Sequence, residues 1–462
     1  MTSIVETAIT TAPGISATAS DVADANGVAE MTDLDAGYYY ISTTVGTIVM
    51  LDTTNIEIYD KNLEPTTEKT VYDDSTYTST TDDTDSDAEI GDTVYFQTVI
   101  DNIYGVSNLV LYDSMDAGLD YSQIDSVTLY LSDSDTTGTA LTLGTGTGTY
   151  AVNTADVYFV VDVDATTFTT DGTLYTYDAG NTPQYTQVTT GTYDPTETYY
   201  LLGDFSMTFD YSDVTGLTRT AFIVVKYSAT VNENAVIYDV ENQTGSNDND
   251  TRVSYGNNSW SLMSTTNTYV YSLNVYKYTG TLSDSPEVLS GASFIILDST
   301  GNNYAKFILE NGVYRFDEWV AYSGDDNLEA NSDPTYYTLI TDSTGILNIS
   351  GLDAETTYQI HETAAPAGYN RLASNVSFVI AGSDNQTTTQ GYVSVNGEDP
   401  NTTTISGISV AQTAVPIQNN SGSEMPETGG IGTTIFYVVG GILVVGAVVL
   451  LITKKRLGNK DE

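Results

Sequence analysis

A two-residue rhythm runs through most of this sequence. β-Branched and aromatic residues recur in short runs such as Val157-Tyr158-Phe159-Val160-Val161 and Ala221-Phe222-Ile223-Val224-Val225. Successive side chains of an extended chain point to opposite faces, so a run of this kind buries one face and wets the other. The runs are bounded by Gly, Asn, Asp and Ser, which turn a chain. Few stretches carry the 3.6-residue period of a helix. The rhythm predicts an all-β protein, and the spacing of the runs predicts β-sandwiches rather than a parallel α/β sheet. Abundant Thr and Tyr suit pleated, half-solvated sheets. At 462 residues the chain has room for about three domains. Segment 262–268 reads as a domain boundary. The polar stretches 73–87, 131–149 and 241–251 read as loops.

Charge and rare residues then exclude whole classes of function. The chain carries 62 acidic against 13 basic side chains, a formal charge of −49. Phosphate backbones draw in Lys and Arg by releasing counterions, so no nucleic-acid partner is expected. Cys is absent, which removes disulfides, thiolate metal sites and cysteine nucleophiles. A Ser-His-Asp enzyme would have to use the single histidine, His361. No cofactor and no metal are expected. Hydrophobic residues at 40% still suffice for packed cores, so this is not a disordered acidic tail.

Residues 434–453, TIFYVVGGILVVGAVVLLIT, are uncharged and about the ~20 residues needed to cross a bilayer as a helix. Lys454, Lys455 and Arg456 follow and would hold that end in the cytoplasm. Just upstream lies Met425-Pro426-Glu427-Thr428-Gly429. Pentapeptide, apolar span and basic tail together resemble the LPxTG cell-wall sorting signal of Gram-positive surface proteins, with Met in place of Leu. The resemblance implies that a sortase cleaves between Thr428 and Gly429 and joins the Thr428 carbonyl to an amine. The first residues, MTSIVETAITTAPGIS, lack the basic start and apolar core of a signal peptide. An upstream signal and more of the first domain are therefore expected for an exported protein.

Lysine is rare enough to trace individually. The chain has eight, and Lys454, Lys455 and Lys460 lie in the basic tail, leaving Lys61, Lys69, Lys226, Lys277 and Lys306. In Ser272-Leu273-Asn274-Val275-Tyr276-Lys277-Tyr278 the alternation puts Lys277 on the same face as Leu273 and Val275, and a buried Lys without a partner is costly. Further on come Leu289-Ser290-Gly291-Ala292-Ser293-Phe294, then His361-Glu362-Thr363-Ala364-Ala365-Pro366-Ala367-Gly368-Tyr369, and last Val415-Pro416-Ile417-Gln418-Asn419. This set resembles the Cna-B, or SpaA-type, domain of Gram-positive pilins and adhesins over about 270–420. The resemblance implies an isopeptide bond between Lys277 and Asn419, catalysed by Glu362. Asn419 keeps the inward phase of Val415 and Ile417, with Asn420 as the alternative.

A second set precedes it. Glu68-Lys69-Thr70-Val71, Leu111-Tyr112-Asp113-Ser114, Val224-Val225-Lys226-Tyr227-Ser228-Ala229 and Val253-Ser254-Tyr255-Gly256-Asn257-Asn258 resemble the isopeptide-forming D2 domain of pilus backbone subunits, over about 61–265. By position the resemblance implies Lys69, Asp113 as catalyst, and Asn257 or Asn258. Ile58-Tyr59-Asp60-Lys61-Asn62 resembles the pilin motif, whose Lys is the amine joined to the next subunit. Residues 1–60 resemble the end of an N-terminal pilin domain.

Other signals have plainer readings. Asp83, Asp85, Asp87 and Glu89 alternate like calcium ligands, but the glycine of an EF-hand loop is missing and a solvated acidic loop is expected. Lys226 and Lys306 read as solvated strand residues, and His361 as packing or hydrogen bonding. The expected organisation is four parts. They are the remnant 1–60, a sandwich at 61–265, a Cna-B-type sandwich at 268–420, and a linker with sorting signal and membrane helix at 421–462. The resemblances together imply a pilus shaft subunit that is not an enzyme. Its partners would be pilus-assembling and housekeeping sortases, identical subunits, peptidoglycan, minor pilins and host surface ligands. A wall-anchored adhesin or minor pilin that is never polymerised is the alternative.

Overall fold

A computed structural model describes residues 64–422, apart from 79–83, 162–173, 189–193, 195, 212, 257–258, 283–285, 327, 384–387, 399–403, 406–407 and 410–412, together with a few positions between 443 and 452. The described chain is mostly β and forms several β-sheet domains.

In the first unit two sheets face each other. One has five strands, in the order Thr66–Tyr72, Thr93–Asp101, Phe222–Val231, Leu119–Tyr130 and Thr139–Ala140. The other has eight, and its centre is Ser264–Tyr269, Asn247–Tyr255, Val110–Met115 and Phe205–Asp210 side by side. The local rule is visible along Thr93–Asp101, where Val94, Phe96, Thr98 and Ile100 are buried and their neighbours are not. Phe96, Phe205 and Tyr227 meet between the sheets, with ring centroids 5.1–5.5 Å apart in the contacting pairs. Burial of such rings dominates core energetics.

A four-stranded sheet within 157–203 includes the run Val157–Val161 read as extended from its rhythm, but its standing as a separate layer does not follow from that rhythm. It covers the outer side of the Asp113 strand. Phe159 packs on Tyr112 at 5.6 Å, and Arg252 Nη1 donates to the Val160 carbonyl at 2.7 Å.

The second unit is one set of twelve strands, running from Glu287–Val288 and Tyr271–Thr279 through Ile346–Leu352 to Ser293–Leu297, Thr357–Ala364 and Val393–Val395. The final strand, Ala414–Gln418, pairs parallel with Tyr271–Thr279, so Lys277 sits opposite Ile417. The sheets change at Val270. Ser264–Tyr269 pairs within the first unit and Tyr271–Thr279 within the second.

Two loop readings are corrected. Residues 247–251 begin a nine-residue strand in which Asn247, Asn249, Thr251 and Val253 face inward. Asp85–Asp87 pairs parallel with Ser264–Tyr269 and alternates with buried Ser86, so it is not a solvated loop. Polar side chains on inward positions hide both strands from a reading that equates polarity with turns. Among the described residues no helix is long and apolar enough to cross a membrane, and segment 434–453 lies almost wholly outside them.

Candidate functional site

Lys277 is buried by its strand's own rhythm. Leu273, Val275 and Lys277 share the inward face, and all three are fully covered. Glu362 reaches the same spot from Thr357–Ala364, where Tyr358, Ile360 and Glu362 alternate inward. Asn419 arrives just past the last strand, in phase with Val415 and Ile417, and its backbone N–H donates to the Tyr278 carbonyl at 2.9 Å. Asn420 is exposed. The Lys277 Nζ donates to Asn419 Oδ1 and lies 3.2 Å from Glu362 Oε1. That same carboxylate oxygen accepts from Asn419 Nδ2 at 2.9 Å. Glu362 Oε2 is held by the Leu372 backbone N–H at 2.7 Å. The Phe294 ring lies 5.7 Å from the amine.

Burial favours the uncharged amine and lowers the Lys277 pKa to about 8, against the pull of Glu362. A neutral amine is a nucleophile, and here it faces an amide it could attack. Glu362 touches the amide nitrogen, where a leaving ammonia would emerge.

A second cluster lies between the sheets of the first unit. The Lys69 Nζ donates to Asp113 Oδ2 at 2.9 Å, and neither side chain is exposed. The Tyr227 hydroxyl donates to the same oxygen. The rings of Phe96 and Tyr227 lie 5.3 and 5.4 Å from the amine. Desolvation lowers the Lys69 pKa and raises that of Asp113, each opposed by the other's charge. Both shifts favour the neutral pair, amine and carboxylic acid.

The amide expected here is Asn257 or Asn258, and both lie outside the described residues. What the structure brings to this cluster is Asn249. It is fully buried, and it lies beside the Tyr227 hydroxyl that shares Asp113 with Lys69. Neither its Oδ1 nor its Nδ2 has a hydrogen-bond partner of good geometry among the described residues. Buried amides are rarely left so, and the exceptions need a reason. Sequence reasoning misses Asn249 because 241–251 reads as a loop. Extending the inward phase of Tyr255 and Val253 back by two more steps would find it.

The remaining expected residues fall as follows. Lys61 and the sorting residues Met425, Pro426, Glu427, Thr428 and Gly429 lie outside the described residues. Lys226 lies over the Tyr77 ring at 4.3 Å. Lys306 pairs with Asp317 at 2.9 Å and Glu318 at 2.7 Å, which raise its pKa. His361 contacts Asn375 at 2.7 Å and Asp326 at 2.9 Å.

Comparison with known proteins bears on both ends of this description. Residues 274–394 match the SpaA model, a prealbumin-like fold domain, and residues 417–456 match the LPXTG cell wall anchor motif. Among solved structures the chain is similar to the group B streptococcus pilus 2b backbone protein, at 18% identity and TM-score 0.43, covering 78% of this chain and 99% of that one. It is similar to the pilus backbone RrgB of Streptococcus pneumoniae, at 14% identity and TM-score 0.40, covering 78% and 100%. It is also similar to the major pilin SpaD of Corynebacterium diphtheriae, at 16% identity and TM-score 0.35, covering 78% and 68%. A search of curated proteins finds no match. The chain therefore carries a SpaA prealbumin-like domain followed by an LPXTG anchor, which implies covalent attachment to a Gram-positive cell wall.

Proposed function

We propose that this protein is the structural shaft subunit of a sortase-assembled pilus, built from tandem immunoglobulin-like, Cna-type β-sandwiches and stapled internally by two isopeptide bonds. The observation that carries the reading is the use of lysine. In a chain with five lysines before its basic tail, two are fully buried, each against a carboxyl group and near an asparagine amide. Burying an amine is expensive, and a structure that does so twice has a use for it.

The chemistry balances within the protein. The Lys277 Nζ lone pair attacks Asn419 Cγ, the new N–C bond forms and the C–Nδ2 bond breaks. Glu362 takes a proton from the amine and passes it to Nδ2, which leaves as ammonia. In the first unit Lys69 attacks the amide of Asn249, with Asp113 moving the proton. Asn249 takes this role in place of Asn257 because its amide is buried beside the cluster. Each reaction occurs once, so the chain matures itself but is not an enzyme. The Lys277–Asn419 bond would close a loop across 142 positions. By the chain-entropy argument used for disulfides, such a loop contributes about 5 kcal/mol.

Thr428, released from its anchor helix by a pilus-assembling sortase, would join Lys61 of the next subunit, and a housekeeping sortase would join the last subunit to peptidoglycan. Cell-wall extracts separated under denaturing conditions test this. A ladder of covalent multimers is expected, and a single wall-linked band would favour the unpolymerised adhesin.

A further inference from the structure

The two units meet at a patch of carboxylates rather than of matched charges. Asp87 accepts from the Tyr271 hydroxyl at 2.5 Å and from the Ser383 backbone N–H at 3.0 Å. Glu89 Oε1 accepts from Trp319 Nε1 at 2.5 Å, and Oε2 from the Tyr358 hydroxyl at 3.3 Å. The Tyr358 hydroxyl oxygen in turn accepts the Asp353 backbone N–H at 2.9 Å. Asp92 Oδ2 accepts the Glu89 N–H at 3.1 Å. The Ile90 N–H donates across the junction to the Gly351 carbonyl at 3.1 Å. Gly351 has φ +89°, and a Cβ there would meet the Ile90 side chain at 2.8 Å, so the two units pack closely at this point.

Asp87, Glu89 and Asp92 belong to the first unit and Asp353 to the second, within electrostatic reach of one another. Glu89, Asp92 and Asp353 form no ion pair with Lys or Arg among the described residues. The basic residue nearby on Val313–Ala321, Arg315, is spent on the Glu233 carbonyl and the Glu310 carboxylate. An open cleft lined by Ile90, Gly91, Asp120, Glu233, Arg315 and Asp317 flanks the patch. Glu355, which accepts the Gly382 N–H, and Tyr271, whose hydroxyl donates to Asp87, are further titratable groups at the patch.

We propose that this junction is a proton-dependent latch. Glu89, Asp92 and Asp353 in their protonated forms let the two units close over them without burying like charges, and loss of those protons sets unpaired negative charges against one another and frees the joint to bend. The latch is independent of the cross-links, which lie inside each unit.

The sign follows from burial. Desolvation raises Glu89 to about 7 and Asp353 to about 8, and raises Asp92 as well. A carboxyl group whose folded pKa lies above its free value of about 4 stabilises the closed joint fully at acid pH. That contribution fades as pH rises from about 4 and is gone above the folded values of about 7 and 8.

Hydrogen exchange on the full chain in mild detergent, corrected for intrinsic rates, tests the latch. Protection of the Ile90 amide should fall at least about tenfold between pH 5.5 and 8.5, since a pKa raised by one changes the closing equilibrium by a factor of about ten. The Phe96 amide, inside the first unit, should not change. In Glu89→Gln with Asp353→Asn the protection should be high and should fall less with pH than in either the wild type or Asp353→Asn, with Asp92 the one member of the trio still titrating. Asp353→Asn alone should give a smaller fall than wild type and serves if the double variant does not fold. Equal wild-type protection at both pH values, or an undiminished fall in the variants, would overturn the proposal.

Discussion

The residues that define both clusters are polar side chains caught in an apolar rhythm. Lys277 and Asn419 keep step with Val275 and Ile417, so their inward placement is legible from alternation alone. Asn249 is not, because the inward residues N-terminal to Val253 are themselves polar: Asn247, Asn249 and Thr251. An inward polar residue can be told from a turn residue only when its neighbours two positions away are apolar, or when its partner strands are known. The two candidate amides give different outcomes on substitution. Asn249→Ala should abolish one of the two ammonia losses, and Asn257→Ala should leave both intact. The reverse pattern in intact-mass measurements would return the role to Asn257. Tryptic mapping of a Lys69 branch decides the same point directly.

Among the elements, Ala414–Gln418 would depend most on the proposed cross-link. It pairs along its length with Tyr271–Thr279, in parallel, and with no other strand among the described residues. Its apolar residues Val415 and Ile417 are too few to hold a five-residue strand strongly. Glu362→Ala should prevent the Lys277–Asn419 bond and free this strand first. Exchange of the Val415 and Ile417 amides should then accelerate by orders of magnitude, with the unit destabilised by about 5 kcal/mol, the loop-closure contribution. Unchanged exchange in a variant whose mass shows the bond missing would mean that packing alone retains the strand. The Val-x-Ile pattern makes this strand legible in the sequence. It does not show that the partner strand runs parallel, because pairing direction is set by the whole topology rather than by either segment.

At the scale of the molecule, most of the all-β architecture can be read from period and turns, while the 157–203 layer and the junction cannot. Layers and joints arise from surfaces meeting, and Asp87 and Glu89 read as part of a solvated loop until the second unit covers them. Lys61 is the residue on which the shaft reading turns. Lys69 and Lys277 are buried, and Lys306 is engaged by two carboxylates. Lys61→Arg keeps the charge and removes the primary amine. It should abolish the covalent ladder and leave wall anchoring and monomer folding unchanged. A persistent ladder, with its branch mapped to Lys226 or Lys306, would move the acceptor elsewhere. Thr428→Ala should remove the protein from the wall fraction altogether, and wall attachment that survives it would place the sorting signal elsewhere.

Two amine and amide pairs, on this reading, have already reacted inside the folded chain. The intact mass of the purified extracellular portion measures this with no assumption about pili or partners. The predicted mass is two ammonias below that of the sequence, with Glu362→Ala restoring one and Asp113→Ala the other. A wild-type mass equal to the sequence mass would contradict it, leaving Lys69 and Lys277 as buried ion pairs without a covalent role.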